Sequence, residues 1–169
     1  DIENQSFTLL DENDPQFERF FTVLRRKQRA GIAIRIIFRD PREFGSSGAE
    51  TLQKVLSRHK RFGLDTDNMK VQKRCHTKAI IVDSERDDTA AVLFGSHNLT
   101  NTGALFNRDA SLLVRDKEVA QYFQKIFNFD WEVLAVQSAE ESVGGVRVAA
   151  ANEETPKGFR KVSLKECLG

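Results

Sequence analysis

The 169-residue sequence has no apolar run approaching the ~20 residues that a helical membrane span needs. Its two cysteines, Cys75 and Cys167, stand far apart and in no metal-ligand spacing. A disulfide framework is therefore not expected, and the plain reading is a reduced chain. There are no internal repeats. The first residue is Asp1 rather than Met, and no signal-peptide pattern follows it. The expectation is that a segment was removed or that the chain is a piece of a longer protein. Localisation is accordingly unknown from this end, with a cytoplasmic or peripheral-membrane setting favoured. Net charge is nearly absent too, at +1.

What is present is a globular composition, 40% hydrophobic and 30% charged, over the length of one ordinary domain. The small net charge conceals an asymmetry. Residues 25 to 74 carry 14 Lys+Arg against 5 Asp+Glu, or +9, which leaves −8 for the rest of the chain. Such a segment suggests an anionic partner, either a phospholipid surface or a nucleic acid. A solvated, salt-bridged pair of faces accounts for it equally well.

Ile2 to Leu10 reads as the end of a strand. Asp14-Pro15 suits a helix start, since Asp can cap free N–H groups and Pro fits the first helical position. Phe17, Phe20, Phe21 and Leu24 follow at helical spacing up to Gly31. A β-branched strand is expected over residues 32–38, a loop of turn formers over 39–48 and a helix over 49–61. Strands are expected at 75–83, 90–94 and 108–114, the first two joined by a hairpin loop over 84–89. Asp116 caps a helix that sets Val119, Phe123, Ile126, Phe127 and Leu134 on one face. Helices alternating with strands predict an α/β fold, a mixed β-sheet flanked by helices. Residues 1–136 are expected to form one domain. Residues 137–169 lose periodicity and read as a C-terminal tail, partly ordered where Phe159 and Leu164 dock.

Chemistry concentrates in Cys75-His76-Thr77-Lys78-Ala79-Ile80-Ile81-Val82-Asp83. Residues i and i+2 of a strand share a face, so His76 and Lys78 project together. The lysine can hold a phosphate oxygen while the histidine attacks phosphorus or protonates a leaving group. Asp83 has the opposite parity, which assigns it a supporting role. Cys75 also points away from His76 and reads as a packed thiol. After the next strand comes Gly95-Ser96-His97-Asn98. Gly95 allows close backbone approach, and Ser96 and Asn98 supply donors to phosphate oxygens. Asn107-Arg108-Asp109 opens the following strand, where Asp109 could accept a hydrogen bond from His76. His97 lies within the loop over 95–98 and reads either as a substrate contact or as a variable loop position, and His59 reads as a surface residue of a basic helix.

The run HTKAIIVD, then GSHNLT, then NRD, resembles the phospholipase D superfamily motif HxK(x)4D followed by GSxN and an acidic residue. The resemblance covers about residues 1–135. Ile2-Glu3-Asn4-Gln5-Ser6-Phe7 is similar to the segment before the second motif of two-motif members. The resemblance implies half of a phospholipase D-like α/β/α sandwich, with His76, Lys78 and Asp109 catalytic and Lys78, Ser96 and Asn98 binding the substrate phosphate. It places Asp83, Gly95 and Asn107 in support. It also implies a phosphohistidine intermediate, no metal and no cofactor. Two departures stand out: Ser84 replaces the Gly that often follows the motif Asp, and Asp109 replaces the commoner Glu.

No second His-x-Lys occurs among the three histidines. The resemblance therefore implies a site completed by a second half, from the same parent chain or a homodimer partner. The expected activity is hydrolysis or transfer on phospholipid phosphodiesters, with possible membrane-surface contact. The alternatives are a nuclease of the same superfamily and a non-catalytic half-domain that binds anionic ligands.

Overall fold

The computed structural model describes residues 1–8, 15–135, 137–144, 155–160, 162–163 and 166. The expected cap Asp14, the strand end at Leu9 and Leu10, and Leu164 and Cys167 lie outside them. In chain order the strands are β1 (Ile2–Asn4), β2 (Phe7–Thr8), β3 (Ile36–Arg39), β4 (Met69–Gln72), β5 (Lys78–Val82), β6 (Ala91–Gly95), β7 (Leu99–Thr100), β8 (Ser111–Val114) and β9 (Gln137–Ser138). The helices are α1 (Pro15–Arg29), α2 (Gly48–Arg61), α3 (Asn101–Leu105), α4 (Lys117–Phe129) and α5 (Ala139–Val143). A 3-10 turn spans Pro41–Phe44, and a π-helical turn, Asp130–Leu134, continues α4.

Seven strands make one sheet in the order β8-β6-β5-β1-β3-β4-β9. β1, β3 and β4 run parallel, and the other pairs are antiparallel, so the sheet is mixed as expected. Side-chain alternation divides the core in two. Ile2, Ile36 and Phe38 pack with Phe17 and Phe21 of α1 and Leu52 and Val55 of α2. Ile37, Ala79, Ile81 and Val92 face the other way and pack with Phe127 of α4. Helices thus cover both faces of the sheet, in an α/β/α arrangement. Asp116 caps α4 as expected, accepting from the Val119 amide at 2.9 Å.

Several elements differ from the sequence reading. The strand expected over 32–38 begins only at Ile36, where β1 and β4 offer pairing partners. β4 carried no clear strand signal because Lys70 interrupts it. Its ammonium donates to Trp131 O at 2.9 Å and lies 4.3 Å from the indole centroid, contacts no local pattern announces. The folded unit also passes the expected boundary at 136. β9 pairs with β4, and α5 begins on a reciprocal capping box between Ser138 and Glu141, with Ala139 and Ser142 buried. The Phe159 ring lies tilted against Tyr122, 4.9 Å between centroids.

His59 is not on the surface of α2. It is 1% exposed, with ring centroids 5.1 Å from both Phe7 and Phe21, and its Nδ1 lies 2.8 Å from Val55 O. Burial holds its pKa down at about 4, from an ordinary 6.5. The folded state thus keeps His59 neutral while the unfolded chain takes up a proton. The associated stability is present above pH 6.5 and is lost as pH falls through 4. Denaturant melts at pH 7 and pH 4 should show an acid loss of about 3 kcal/mol from this group, largely absent in His59→Leu.

The basic segment is split between the two ends of the sheet. Arg26, Lys27, Arg29, Lys60 and Arg61 occupy the last turns of α1 and α2, which lead into the N-terminal ends of β3 and β4. These cations suit the negative ends of the helix dipoles. At the opposite end, where β1 gives way to Gln5 and β5 begins at Lys78, the basic residues are Arg39, Arg42, Lys73 and Arg74. Arg39 pairs there with Glu43, and Arg42 with Asp40.

Candidate active site

Central strand β1 ends beside the start of β5, with Asn4 paired to Lys78, and the Gln5 amide extends the ladder to Thr77 O at 2.8 Å. His76 therefore lies in the segment leading into β5 rather than in the strand itself. Its parity with Lys78 holds nonetheless. Lys78 Nζ donates to His76 O at 2.8 Å and lies 3.5 Å from His76 Nδ1, on an exposed imidazole. Gln5 Oε1 accepts from Lys78 Nζ at 2.7 Å, which fixes the ammonium beside the ring. Partial burial lowers the Lys78 pKa, while the Asp109 carboxylate acts to raise it.

The segment after β6 closes the other side. Gly95 is required by close approach to β8: a Cβ there would lie 2.3 Å from Ala110 O and 2.6 Å from Ser111 Cα. Gly95→Ala should force β6 and β8 apart, costing about 1–3 kcal/mol and displacing Ser96, as thermal melts and turnover would report. Ser96 Oγ donates to Asp109 Oδ1 at 3.0 Å and accepts from the Ala110 amide at 3.0 Å. Asn98 Oδ1 is buried without a hydrogen-bond partner among the described residues. His97 Nδ1 contacts Ser111 Oγ.

His76, Lys78, Ser96, Asn98 and Asp109 thus come from segments that converge at one end of the sheet. The contact expected between Asp109 and His76 is not formed. No hydrogen bond joins them among the described residues, and Asp109 holds Ser96 instead. Asn107 is exposed between α3 and β8, its amide bonded to Thr102 O. Asp83 sits at the far end of β5 with φ +45°, close to Asp1, so any support it gives is to the β5–β6 turn. Cys75 points away from His76 and is buried, as its parity requires.

Two residues of this site were not singled out by the sequence reading. Asn4, 3% exposed, accepts from the Leu99 amide at 3.1 Å and donates to His97 O at 3.4 Å, tying the Ser96–Asn98 segment to β1. Gln5 anchors Lys78. Their signal was the resemblance over residues 2–7, which assigned them no role, and their position at the end of a strand that proves to be central.

A backbone of this kind is found in the crystal structure of a phospholipase D family member, Nuc from Salmonella typhimurium. The TM-score is 0.54 at 18% identity, over 77% of this chain and 75% of that one. The fold is thus of the phospholipase D class. The model of the family described as cardiolipin synthase, PLD-like domain, matches residues 4–131, and the chain belongs to that family. No curated protein sequence matches it. Membership places the chain in a superfamily of phosphodiesterases.

Proposed function

We propose that this chain supplies one half of a phosphodiesterase site that works through a phosphohistidine on phospholipid phosphodiesters, by hydrolysis or by transfer to an alcohol. The carrying observation is the His76 imidazole held beside the Lys78 ammonium, 3.5 Å from Nδ1 to Nζ, at the strand end that faces Ser96 and Asn98. Lys78 binds a non-bridging phosphate oxygen. One histidine attacks phosphorus: a P–N bond forms, the P–O bond to the leaving group breaks, and the second histidine protonates the departing oxygen. That second histidine then takes a proton from water or an alcohol, whose oxygen attacks phosphorus and breaks the P–N bond. His76 fills either role, according to which half it faces.

A chain with one His-x-Lys needs a second half for this cycle. An exposed apolar edge beside Asp109 supports such pairing. Phe106, Leu112 and Leu113 are 77%, 63% and 57% exposed, and β8 ends the sheet. The family description, which names cardiolipin synthase, favours a phospholipid substrate. The mass in solution, measured by light scattering alongside turnover of bis(p-nitrophenyl) phosphate, tests the reading. An active dimer fits two copies of this chain, and an inactive monomer that gains activity with a complementary half fits a duplicated parent. Turnover of oligonucleotides but not of phosphatidylglycerol vesicles would overturn the lipid assignment. Anion binding that survives His76→Ala, with no turnover in any assembly, would overturn the enzyme.

A further inference from the structure

Beneath His76, on the opposite face of the sheet, lies an acidic group that the cycle above does not use. Glu3 is the middle residue of central strand β1, flanked by Ile37 of β3 and Ala79 of β5, and is 2% exposed. A carboxyl group is costly at such a place unless hydrogen bonds satisfy it. Its partners are informative. Cys75 Sγ donates to Glu3 Oε1 at 3.7 Å, and the Thr77 side chain also hydrogen-bonds to the Glu3 carboxyl. Cys75 and Thr77 are the residues immediately before and after His76. Asp130, in the π-helical turn, hydrogen-bonds to Glu3 from below.

We propose that Glu3 is a positioning residue for His76: its carboxyl, backed by Asp130, holds Cys75 and Thr77 and so fixes the backbone on both sides of the imidazole. The proposal rests on His76 being the reacting group. It answers a structural need, because His76 precedes the first residue of β5 and its own ring has no carboxylate partner among the described residues. With Lys78 held by Gln5 on one face and residues 75 and 77 held by Glu3 on the other, the His-x-Lys segment is clamped from both sides of the sheet.

The clamp needs a proton. The titratable groups facing Glu3 are Asp130 from the π-helical turn and Cys75 from the segment before β5, while β3 and β5 present Ile37 and Ala79. Burial, and then the Asp130 charge, raise the Glu3 pKa to about 8. Burial raises Asp130 as well, and burial with the Glu3 charge pushes the Cys75 thiol up. Near neutral pH the two carboxyls thus share one proton in a hydrogen bond. The folded pKa of Glu3 is raised, so this stabilisation is complete at low pH and is lost as pH rises through about 8.

The test compares Glu3→Gln, which keeps an acceptor but cannot ionise, with Glu3→Leu, which keeps only the volume, in the active assembly. Glu3→Gln should hold kcat within about 3-fold at pH 7 and lack the decline expected of the parent between pH 8 and 9. Glu3→Leu should lower kcat at least about 10-fold with KM within about 2-fold. Independently of turnover, long-range imidazole NMR correlations should shift or broaden for His76 in Glu3→Leu, with His59 and His97 unmoved. Unchanged His76 signals with unchanged kcat in Glu3→Leu would overturn the proposal. So would a parent-like alkaline decline in Glu3→Gln, which decides the matter even if Glu3→Leu does not fold. Absence of turnover in the parent would instead overturn the phosphodiesterase reading, and the His76 signals would still report on Glu3.

Discussion

His76→Ala is expected to lower phosphodiester turnover by about 10³- to 10⁴-fold while leaving the fold intact. Both halves of that expectation come from one placement. The imidazole is exposed, so its removal leaves no cavity and should change stability by at most about 0.5 kcal/mol. In the proposed cycle the same imidazole forms the P–N bond or protonates the leaving oxygen, and neither of the other two histidines is placed to take over. His97 is engaged by Ser111, and His59 is buried among phenylalanines with its pKa held near 4. Steady-state turnover and denaturant melts on the same preparation check the two parts together. A variant that loses stability and activity in parallel would point to a structural histidine.

The second large effect is expected at Lys78. Lys78→Met should lower kcat/KM by about 10²- to 10³-fold, because charge on the phosphoryl oxygens would lose the Lys78 ammonium. Lys78→Arg should recover only part of this. The ammonium fits between Gln5 Oε1 at 2.7 Å and His76 O at 2.8 Å, and a planar guanidinium fork does not satisfy that pair from the same position. The substrate concentration dependence separates lost binding from lost catalysis. Equal kcat/KM for Lys78→Met and the parent would remove Lys78 from the phosphate site.

Much of this was legible in the sequence because it is local. Phe17, Phe20, Phe21 and Leu24 declare one face of α1, and Asp116 declares the start of α4. The parity of His76, Lys78 and Cys75 follows from strand geometry alone. What escaped was tertiary. β4 becomes a strand because β3 and β9 flank it, and Gln137 and Ser138 join the sheet through partners some seventy positions away. His59 follows a basic helix's charge pattern, yet the helix turns it inward between Phe7 and Phe21. Asp109, expected at the start of a strand over 108–114, lies before β8, and its oxygen accepts from Ser96 rather than from the imidazole. Glu3 and Asn4 entered the sequence reading only as part of the resemblance over residues 2–7, with no role of their own. Only the central position of β1 makes one the clamp under His76 and the other the anchor of the Ser96–Asn98 segment.

The proposed reaction is a two-step displacement at phosphorus through a histidine, and its stereochemical course distinguishes it from direct attack. A phosphodiester made chiral at phosphorus by sulfur or oxygen-isotope substitution would be turned over by the active assembly, and the configuration of the product determined. Two in-line steps predict net retention, abolished together with turnover in His76→Ala. Net inversion would mean that water or alcohol attacks phosphorus directly, and would contradict the covalent route.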